Sequence, residues 1–320
     1  MKKFAASFVA IAVLLWIIDN VGGLLMEQCM AHTNAKPEVK LEHVVKAVDD
    51  DIVLMGTSRC DCHYVPSILM DSLDASVYNG GIADSENIFS HYILLNLMLA
   101  HHTPKVVCLE LMDKDMSISQ APFSKISFFA PYINMSDRAD SVFMLAGTYW
   151  RYKASHLYRY NAKGVEAIGG LVINHRSRED HGFFPLTETG GHPAAFGTES
   201  HLSGTDSLKL SYVKRFIDVC QKNGIKLVFM ISPRYSRIDS ARYDPLKKVA
   251  KENGVPFLDY HSKGLFLDHP EYFKDSGHLW ENGARAYSAL FASDLKRVLA
   301  CQQIDRGLLN SDGTSEKNSR

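Results

Sequence analysis

The sequence predicts an α/β fold in which the strands of a parallel sheet alternate with helices. Short apolar runs that are typical of buried strands occur at residues 52–55, 105–111 and 226–231. Between these runs lie longer segments, such as residues 84–101 and 207–222, in which apolar residues recur at helical spacing. Strands and helices that alternate along a chain predict a parallel sheet with helices on its faces.

The first predicted strand ends at a serine. Gly56 and Thr57 break the apolar run of residues 52–55, and residues 61–73 have the apolar spacing of a helix. Ser58 is therefore predicted on a strand-to-helix turn at the carboxyl edge of the sheet, where ligands bind in open α/β folds. Its hydroxyl could act as a nucleophile there. Alternatively, Ser58 or Thr57 could simply cap the helix, which is the commoner role of these residues.

A second stretch, near the carboxyl end, supplies the partners that a serine nucleophile needs. Asp275 and His278 stand three residues apart in a glycine-containing loop, before a predicted helix over about residues 283–300. A serine needs a base to remove its proton, and the base needs a carboxylate to orient it. Asp259, at the end of a predicted strand over residues 256–259, is a rival for the orienting role.

Three motifs together carry a resemblance to a known family. GTSR around Ser58, NGG at residues 79–81 and DSGHL at residues 275–279, in this order, resemble the SGNH (GDSL-like) hydrolases. More closely, the chain resembles the membrane-anchored branch that acts on acyl groups of bacterial cell-surface polymers. The resemblance covers about residues 50–112 and 205–300.

The resemblance implies a fold and a set of catalytic residues. The fold is a three-layer, flavodoxin-like parallel sheet of the SGNH-hydrolase type, here expected over residues 51–300. The implied nucleophile is Ser58, the implied base is His278 and the implied orienting carboxylate is Asp275. Neither a cofactor nor a metal ion is expected.

The same resemblance implies an oxyanion hole. In the family it is built from the serine N–H, a glycine N–H and an asparagine side chain. Ser58 supplies the first group, and Gly80 or Gly81 could supply the second. The two glycines are explained equally well as an ordinary turn that ends a second strand over residues 75–78.

The asparagine that the family places after the third strand is missing, because Met112 and Asp113 stand there. Asn79 is the available substitute. Since one oxyanion donor can be worth about 10²–10³ in rate, we expect weak hydrolysis by water if the hole is incomplete.

Two arginines are candidates for substrate binding. Arg59 follows the serine directly, and Arg234 follows the predicted strand of residues 226–231. A guanidinium group binds carboxylates and phosphates well. A lone arginine such as Arg234 is more often part of a surface ion pair.

The amino terminus predicts a membrane anchor or a signal over residues 1–30. Two lysines precede an uncharged apolar run at residues 4–18, and the apolar character continues through Leu25. An uncleaved transmembrane helix is favoured because no small-x-small cleavage site follows the run; a buried soluble helix is a further alternative. Since the lysines stay inside, we expect the body in the periplasm or at the cell surface. Residues 31–50 are predicted to form a stalk and a short helix that leads to the first strand.

Two further segments depart from the regular alternation. Residues 113–205 are too long for a connection and are predicted to form a cap over the carboxyl edge of the sheet. Their many aromatic rings could stack on sugar rings or could pack the small core of the insertion itself. Residues 301–320 are predicted to form a disordered tail.

The composition gives little reason to expect nucleic acid as a partner or a metal or redox centre. The chain has 320 residues, 46% of them hydrophobic, which is enough for one sizeable core. A net charge of −1 gives no electrostatic reason to expect nucleic acid as a partner. Cys60 and Cys62 beside His63 indicate metal or redox chemistry only weakly, because no second pair stands at zinc spacing.

Two classes of function follow. The first is serine-dependent acyl transfer or ester hydrolysis on an envelope polysaccharide or another cell-surface glycan. Because acyl-coenzyme A is absent outside the cytoplasm, a transferase would take its acyl group from the polymer or from a membrane-bound donor protein. The second class is an inactive anchored protein that binds or assembles surface polymers.

Overall fold

The computed structural model describes residues 1–85, 87–172, 180–187, 194–198, 204–237 and 240–312. Residues 188–193 of the predicted insertion and residues 313–320 of the predicted tail lie outside the described residues.

The strands form one parallel sheet, which confirms the predicted fold class. They are β1 (Ile52–Met55), β2 (Val77–Asn79), β3 (Val106–Glu110), β4 (Lys226–Ile231) and β5 (Phe257–Asp259). Their order is β2-β1-β3-β4-β5, and all neighbouring strands are parallel. This is the strand order of flavodoxin-like folds, in which the carboxyl edge beside the first strand binds ligands.

The helices are, in chain order, α1 (Lys2–His32), α2 (Lys36–Lys46), α3 (Ser58–His63), α4 (Pro66–Leu73), α5 (Ile88–Met98), α6 (Asp137–Leu145), α7 (Tyr149–Ala154), α8 (Gly164–Val172), α9 (Ser207–Lys222), α10 (Asp244–Glu252) and α11 (Glu281–Asp312).

Helices cover both faces of the sheet, so the body has three layers. Val53 and Met55 of β1 belong to a core that also contains side chains of α2, α5 and α9. Ile52 and Leu54 belong to a second core with side chains of α3, α4 and α11. The residues alternate between the two cores because successive side chains of a strand point to opposite faces.

The helix predicted over residues 61–73 is in fact two helices. α3 starts at Ser58 and ends at His63, and Pro66 begins α4. Proline fixes its own backbone at the first turn of a helix and holds the preceding residue extended, as Val65 is here. The result is a short, separate helix that carries the serine.

The short helix predicted within residues 31–50 is present as α2, but the segment is packed on the body and is not a stalk, which corrects that part of the expectation. Leu41, Val44 and Val45 of α2 are buried in the core on one face of the sheet. The polar side of α2 is also engaged, since Glu38 pairs with the buried Lys163 at 2.9 Å. Polar residues that pair with distant segments look solvent-exposed in the sequence, and this misled the prediction.

The insertion does not act only as a cap. Gly182, Phe184 and Leu186 line a cavity at the carboxyl edge of the sheet. In contrast, α8 and the 3₁₀ turn Leu157–Tyr160 pack on α1. Several aromatic residues of the insertion are buried, but they do not form a separate core of the insertion. Phe129, Tyr132, Tyr149 and Tyr152 belong to the core that contains β1 and α5, and Tyr160 packs with Met30 of α1.

α11 runs on from the body into residues 301–312 of the predicted tail and ends at Asp312. Disorder in the tail stays a prediction.

Candidate active site

Ser58 lies where β1 passes into α3. A Cβ at Gly56 would lie 2.7 Å from the Cβ of Cys60 and 2.8 Å from the Cβ of Glu110, so this turn requires glycine. The Thr57 hydroxyl donates a hydrogen bond to the sulfur of Met112 at 3.0 Å and does not cap the helix. The local sequence thus leaves the Ser58 hydroxyl free to face the cavity.

The structure brings the three predicted catalytic residues together. Ser58 Oγ lies 2.9 Å from His278 Nε2. His278 Nδ1 lies 3.0 Å from each carboxylate oxygen of Asp275. Because a proton on Nδ1 satisfies the carboxylate, Nε2 is left to accept the hydroxyl proton of Ser58. This is the hydrogen-bond order in which a histidine base activates a serine.

The Asp275 carboxylate is held by its own loop. Its Oδ1 accepts hydrogen bonds from the N–H groups of Gly277 at 2.8 Å and His278 at 2.9 Å. Partial burial by itself would raise the pKa of Asp275, but the hydrogen bonds from the His278 ring and from these N–H groups lower it to about 2. The carboxylate therefore stays ionised at neutral pH.

The rival carboxylate has other partners. Asp259 pairs with Lys247 at 2.8 Å and accepts a hydrogen bond from the Ser262 N–H at 2.8 Å. The geometry thus favours Asp275 as the residue that orients His278.

His63 connects the serine helix to the histidine loop. The N–H of Leu279 donates to His63 Nε2 at 3.0 Å, so the proton of this ring must sit on Nδ1, which lies 2.8 Å from Ser232 Oγ. Burial, together with the nearby His278, holds the pKa of His63 well below its usual value. Sequence reasoning considered His63 only as a metal ligand and missed this role. The sequence could have indicated this role through the closeness of His63 to Ser58, since both lie on the same short helix.

A buried polar network continues from His63 beneath the site. Ser232 donates to Glu110 through its hydroxyl at 2.8 Å and its N–H at 3.0 Å, and Tyr64 donates to the other carboxylate oxygen. The Arg59 guanidinium lies 3.5 Å from Glu110 and donates to the carbonyl of Leu111 at 2.9 Å. A charge as buried as that of Glu110 needs such partners.

The prediction that Arg59 binds substrate is therefore wrong. Its side chain is buried and points under the site, towards Glu110. Arg234 is half-buried and its charge acts on Asp113 and His261, where it contributes to the low pKa of both groups. The described residues that line the cavity at Ser58 do not include either arginine.

Asn79 cannot serve as an oxyanion donor in this structure, which corrects the sequence-based suggestion. Its Nδ2 donates to the carbonyls of Cys60 at 2.7 Å and Tyr64 at 2.9 Å. Its Oδ1 accepts the N–H of Gly81 at 3.0 Å. The side chain is fully buried and holds the second loop against the serine helix.

The two glycines also have structural roles here. The N–H of Gly80 donates to the carbonyl of Leu54 at 2.9 Å, and that of Gly81 donates to Asn79. A Cβ at Gly81 would lie 2.5 Å from the N of Asp61, so this glycine permits close packing on α3. Of the predicted donors, the N–H of Ser58 remains, because the first residues of a helix lack intrahelical acceptors.

A cavity of about 450 Å³ opens at the serine, which is within the usual range of ligand sites. Of its lining residues, sequence reasoning singled out Ser58, Gly81, Asp275 and His278 for the site. The lining residues that it did not assign to the site are Lys36, Pro37, Lys40, Asp61, Cys62, Ile82, Ala83, Gly182, Phe184, Leu186 and Lys274.

The lining is partly apolar and partly cationic. Lys36 lies over the ring of Phe184, with Nζ 2.9 Å from its centroid, and Lys40 pairs with Asp61. Lys274 is exposed at the rim. Such a cavity can hold an acyl chain against its apolar wall and polar or anionic groups near the lysines.

The CxC motif is not arranged as a metal site. Cys60 and Cys62 are buried, and burial raises the pKa of both thiols well above the usual value. Within the described ranges, no group of three His, Cys, Asp or Glu residues could hold a metal ion.

Comparisons with known proteins give little further information. No protein-family model matches the sequence, and no curated protein matches it. Solved structures do match, among them a candidate acylhydrolase from Bacteroides fragilis. That match has 11% sequence identity and a TM-score of 0.40, and it covers 80% of this chain and 94% of the other. A likeness at this level says nothing about the reaction, which must be argued from the side chains.

Proposed function

We propose that this protein is a membrane-anchored, SGNH-type serine esterase or O-acyltransferase. The observation that carries the proposal is the chain of hydrogen bonds from Ser58 through His278 to Asp275, with distances of 2.9 Å and 3.0 Å, at the wall of a cavity. A serine that merely capped its helix would not need this pair of partners.

The proposed reaction has two steps. Ser58 Oγ attacks the carbonyl carbon of an ester while its proton passes to His278 Nε2. The alcohol then leaves with that proton, and the acyl group stays on Ser58. In the second step His278 removes a proton from water or from a sugar hydroxyl, whose oxygen attacks the acyl-enzyme and frees Ser58. Asp275 stabilises the imidazolium that forms in both steps.

The proposed substrate is an O-acyl group on an envelope polysaccharide or another cell-surface glycan. Three considerations support it: the resemblance of the motifs, the apolar helix α1, and a cavity with both apolar and cationic walls. We also propose that the body lies outside the cytoplasm and that a membrane-bound protein could donate the acyl group. Because Asn79, Gly80 and Gly81 donate or accept elsewhere, we slightly favour a sugar acceptor over bulk water.

A serine-directed fluorophosphonate probe tests the catalytic proposal. The full-length protein in detergent should be labelled, and Ser58→Ala should abolish the labelling. Ser276→Ala is a matched control, because this serine lies in the same loop as Asp275 and should leave labelling intact. A folded wild-type protein that is not labelled would instead favour the alternative, an inactive protein that binds or assembles surface polymers.

Acceptor dependence separates the two enzymatic versions. We expect slow hydrolysis of an aryl acetate and faster turnover when a saccharide is added, with the acetyl group recovered on the sugar. Rapid hydrolysis that no saccharide diverts would leave a plain esterase.

A further inference from the structure

The length of the apolar part of α1 determines where this helix can leave a membrane. Residues 4–18 form an uncharged apolar run, which measures about 22 Å at the helical rise. The hydrocarbon core of a bilayer is about 30 Å thick. The run can therefore span it only if the embedded part continues past Asp19 to about Leu25. Val21, Leu24 and Leu25 are exposed and apolar, as this continuation requires.

The insertion binds α1 within this outer stretch. The Asp19 carboxylate accepts hydrogen bonds from the N–H groups of His156 at 2.8 Å and Leu157 at 3.2 Å, and from the Ser155 hydroxyl. Such donors make a carboxylate tolerable near hydrocarbon, where an unpaired charge is costly. Residues 155–157 therefore lie beside the outer part of the span, about 9 Å before its end at Leu25.

Two glycines of α1 bring the same turn close to the helix. A Cβ at Gly22 would lie 3.1 Å from the Leu157 side chain, and one at Gly23 would collide with His156. Asp19, Gly22 and Gly23 share one side of α1, because they are three and four residues apart. The insertion thus covers one side of the outer span and leaves the rest exposed.

α8 continues along the segment of α1 that emerges from the span. Gly164, at the start of α8, lies beside Met26, and Gly170, near its end, lies against Thr33. Ala167, between them, is buried in the contact. The first turn of α8 is therefore level with the outer boundary of the membrane, and its last turn lies farther out.

The side of α8 that faces away from α1 is apolar and exposed. Val165, Ile168 and Val172 are 82%, 52% and 86% exposed, and their spacing places them near one another on the helix surface. Exposed apolar surface of this kind is characteristic of an interaction site.

Aromatic and basic residues are exposed on α7, the helix next to the turn that binds Asp19. Trp150 of α7 is 74% exposed, and Arg151 and Lys153 beside it are exposed as well. α7 packs on the turn that holds Asp19, through the stacked rings of Tyr152 and Tyr158. Tryptophan, tyrosine and basic residues are enriched where a protein meets lipid headgroups.

We propose that the insertion rests on the lipid bilayer around the outer end of α1. The membrane-facing surface consists of Trp150, Leu157, Tyr158, Val165 and Ile168. Continuity with α1 identifies lipid as the occupant, because this surface begins with Leu157 beside Gly22, inside the embedded stretch, and continues to the level where the helix leaves the hydrocarbon. The inference requires that α1 spans the membrane, but it does not depend on the catalytic role of Ser58.

Contact between the insertion and the bilayer would fix the distance of the cavity from the membrane. α2 begins at Lys36, soon after α1 ends at His32, and Lys36 and Pro37 line the cavity at Ser58. From Leu25 to His32 the helix rises only about 10 Å. A body held against the bilayer at several points therefore keeps its cavity near the headgroups, where an amphiphilic acyl donor would be concentrated.

Spin labels on the full-length protein in lipid nanodiscs test the proposal. Cys29→Ser and Cys301→Ser remove the two cysteines that are not buried, and single cysteines are then introduced for labelling. Val165→Cys and Val172→Cys probe the two ends of α8. Lys248→Cys on α10 is the aqueous control, since its side chain is 77% exposed.

Leu14→Cys in α1 is the control for lipid, and each label is examined by collision with oxygen and with a water-soluble nickel chelate. We expect the ratio of oxygen to nickel collisions at Val165 to be several-fold above that at Lys248, with an intermediate ratio at Val172. A water-exposed Val165 beside a lipid-exposed Leu14 would overturn the proposal and leave the anchor intact. Protection of Val165 from both reagents would overturn it in favour of a protein partner. A water-exposed Leu14 would show that α1 does not span the membrane and would overturn the bilayer contact of the insertion as well.

Discussion

The His63 side chain links the helix that carries Ser58 to the loop that carries His278. It belongs to α3 together with Ser58, and its Nε2 accepts the N–H of Leu279, the residue after His278. Its other nitrogen is tied to Ser232, which in turn donates to Glu110. The position of His278 relative to Ser58 therefore depends on a buried group that does not touch the cavity.

Replacing His63 should impair positioning more than binding. In His63→Leu, the N–H of Leu279 loses its acceptor, so the loop can shift and kcat should fall by up to about 10²-fold with little change in KM. His63→Gln retains an amide oxygen and an amide N–H, and it should recover part of the loss. Steady-state kinetics on an aryl ester measure both values. Wild-type kcat in His63→Leu would show that the loop is held by other contacts.

Asp275 and Asp259 provide a matched pair of carboxylates. Asp275→Asn should reduce kcat by up to about 10⁴-fold, because an amide neither fixes the required tautomer of His278 nor stabilises its cation. Asp259→Asn should retain most activity, since Asp259 pairs with Lys247. The fluorophosphonate labelling rate is a sensitive measurement of both. The opposite ranking of the two variants would transfer the orienting role to Asp259.

At the scale of elements, α3 and the loop after β2 are held together by close backbone packing. Gly81 lies against Cys60 and Asp61 of α3, and the Asn79 amide donates to the carbonyls of Cys60 in α3 and of Tyr64 just after it. The NGG motif is thus explained here by its contacts with the helix that carries Ser58.

Gly81→Ala should therefore reduce both stability and activity. Its methyl group would lie 2.5 Å from the N of Asp61 and 2.8 Å from the carbonyl carbon of Cys60, which are backbone atoms that cannot turn aside. We expect a loss of about 1–3 kcal/mol in the free energy of unfolding, together with a displaced Ser58.

Gly169→Ala is the matched control, because nothing lies within 4 Å of a Cβ there and alanine favours the helical backbone of α8. Denaturant unfolding and labelling rates should remain close to wild type in this variant. Equal behaviour of the two variants would mean that the loop can move away from α3 without consequence.

At the scale of the whole molecule, α1 is long and apolar enough to cross a membrane. The orientation that we propose can be tested through a native cysteine. Cys301 on α11 is exposed, whereas Cys60, Cys62, Cys108 and Cys220 are buried. A membrane-impermeant maleimide should label Cys301 in cells with a permeable outer layer and an intact inner membrane. Cys301→Ser should remove most of this labelling. Labelling only after lysis would place the body in the cytoplasm.

The stability of the body should depend on pH through a buried histidine. Burial, together with the charges of Arg59 and Arg234, lowers the pKa of His261 to about 3. Below about pH 6.5 the unfolded chain takes up a proton at this position, but the folded protein does not until about pH 3. The unfolded state thus binds more protons in this window, and stability falls as the pH falls through it.

His261→Gln should remove this component of the pH dependence. Between pH 7 and pH 5 the variant should lose about 2 kcal/mol less stability than the wild type. The measurement is denaturant unfolding in detergent at the two pH values. His269→Gln is the contrast: the hydrogen bond that the His269 ring donates to Glu271 raises the pKa of His269, so its stabilising effect is present at low pH and is lost as the pH rises. An unchanged pH dependence in His261→Gln would contradict the burial of a neutral ring.

Much of the candidate site could be read from the sequence because it depends on strand ends. Parallel strands bring their carboxyl ends to one edge, so a serine after β1 has a predictable location. The residue types of Asp275 and His278 made their loop a candidate, but its assignment to Ser58 rested on the family resemblance, since nothing in its spacing shows which strand end it approaches. Their mutual distances came only from the structure.

The sequence by itself determined the parallel sheet, the order of its strands and helices, and the apolar helix at the amino terminus. These features follow from local periodicity, because the spacing of apolar residues within a segment does not depend on residues far away in the chain. Tertiary structure alone decided that Arg59 lies beneath the site, that Asn79 is part of the packing, and that α2 belongs to the core. Each of these depends on which polar groups meet across the fold, as Glu38 and Lys163 do from positions 125 residues apart (163 − 38). A buried polar group takes whatever partner the packing provides, and the local pattern of the chain does not specify that partner.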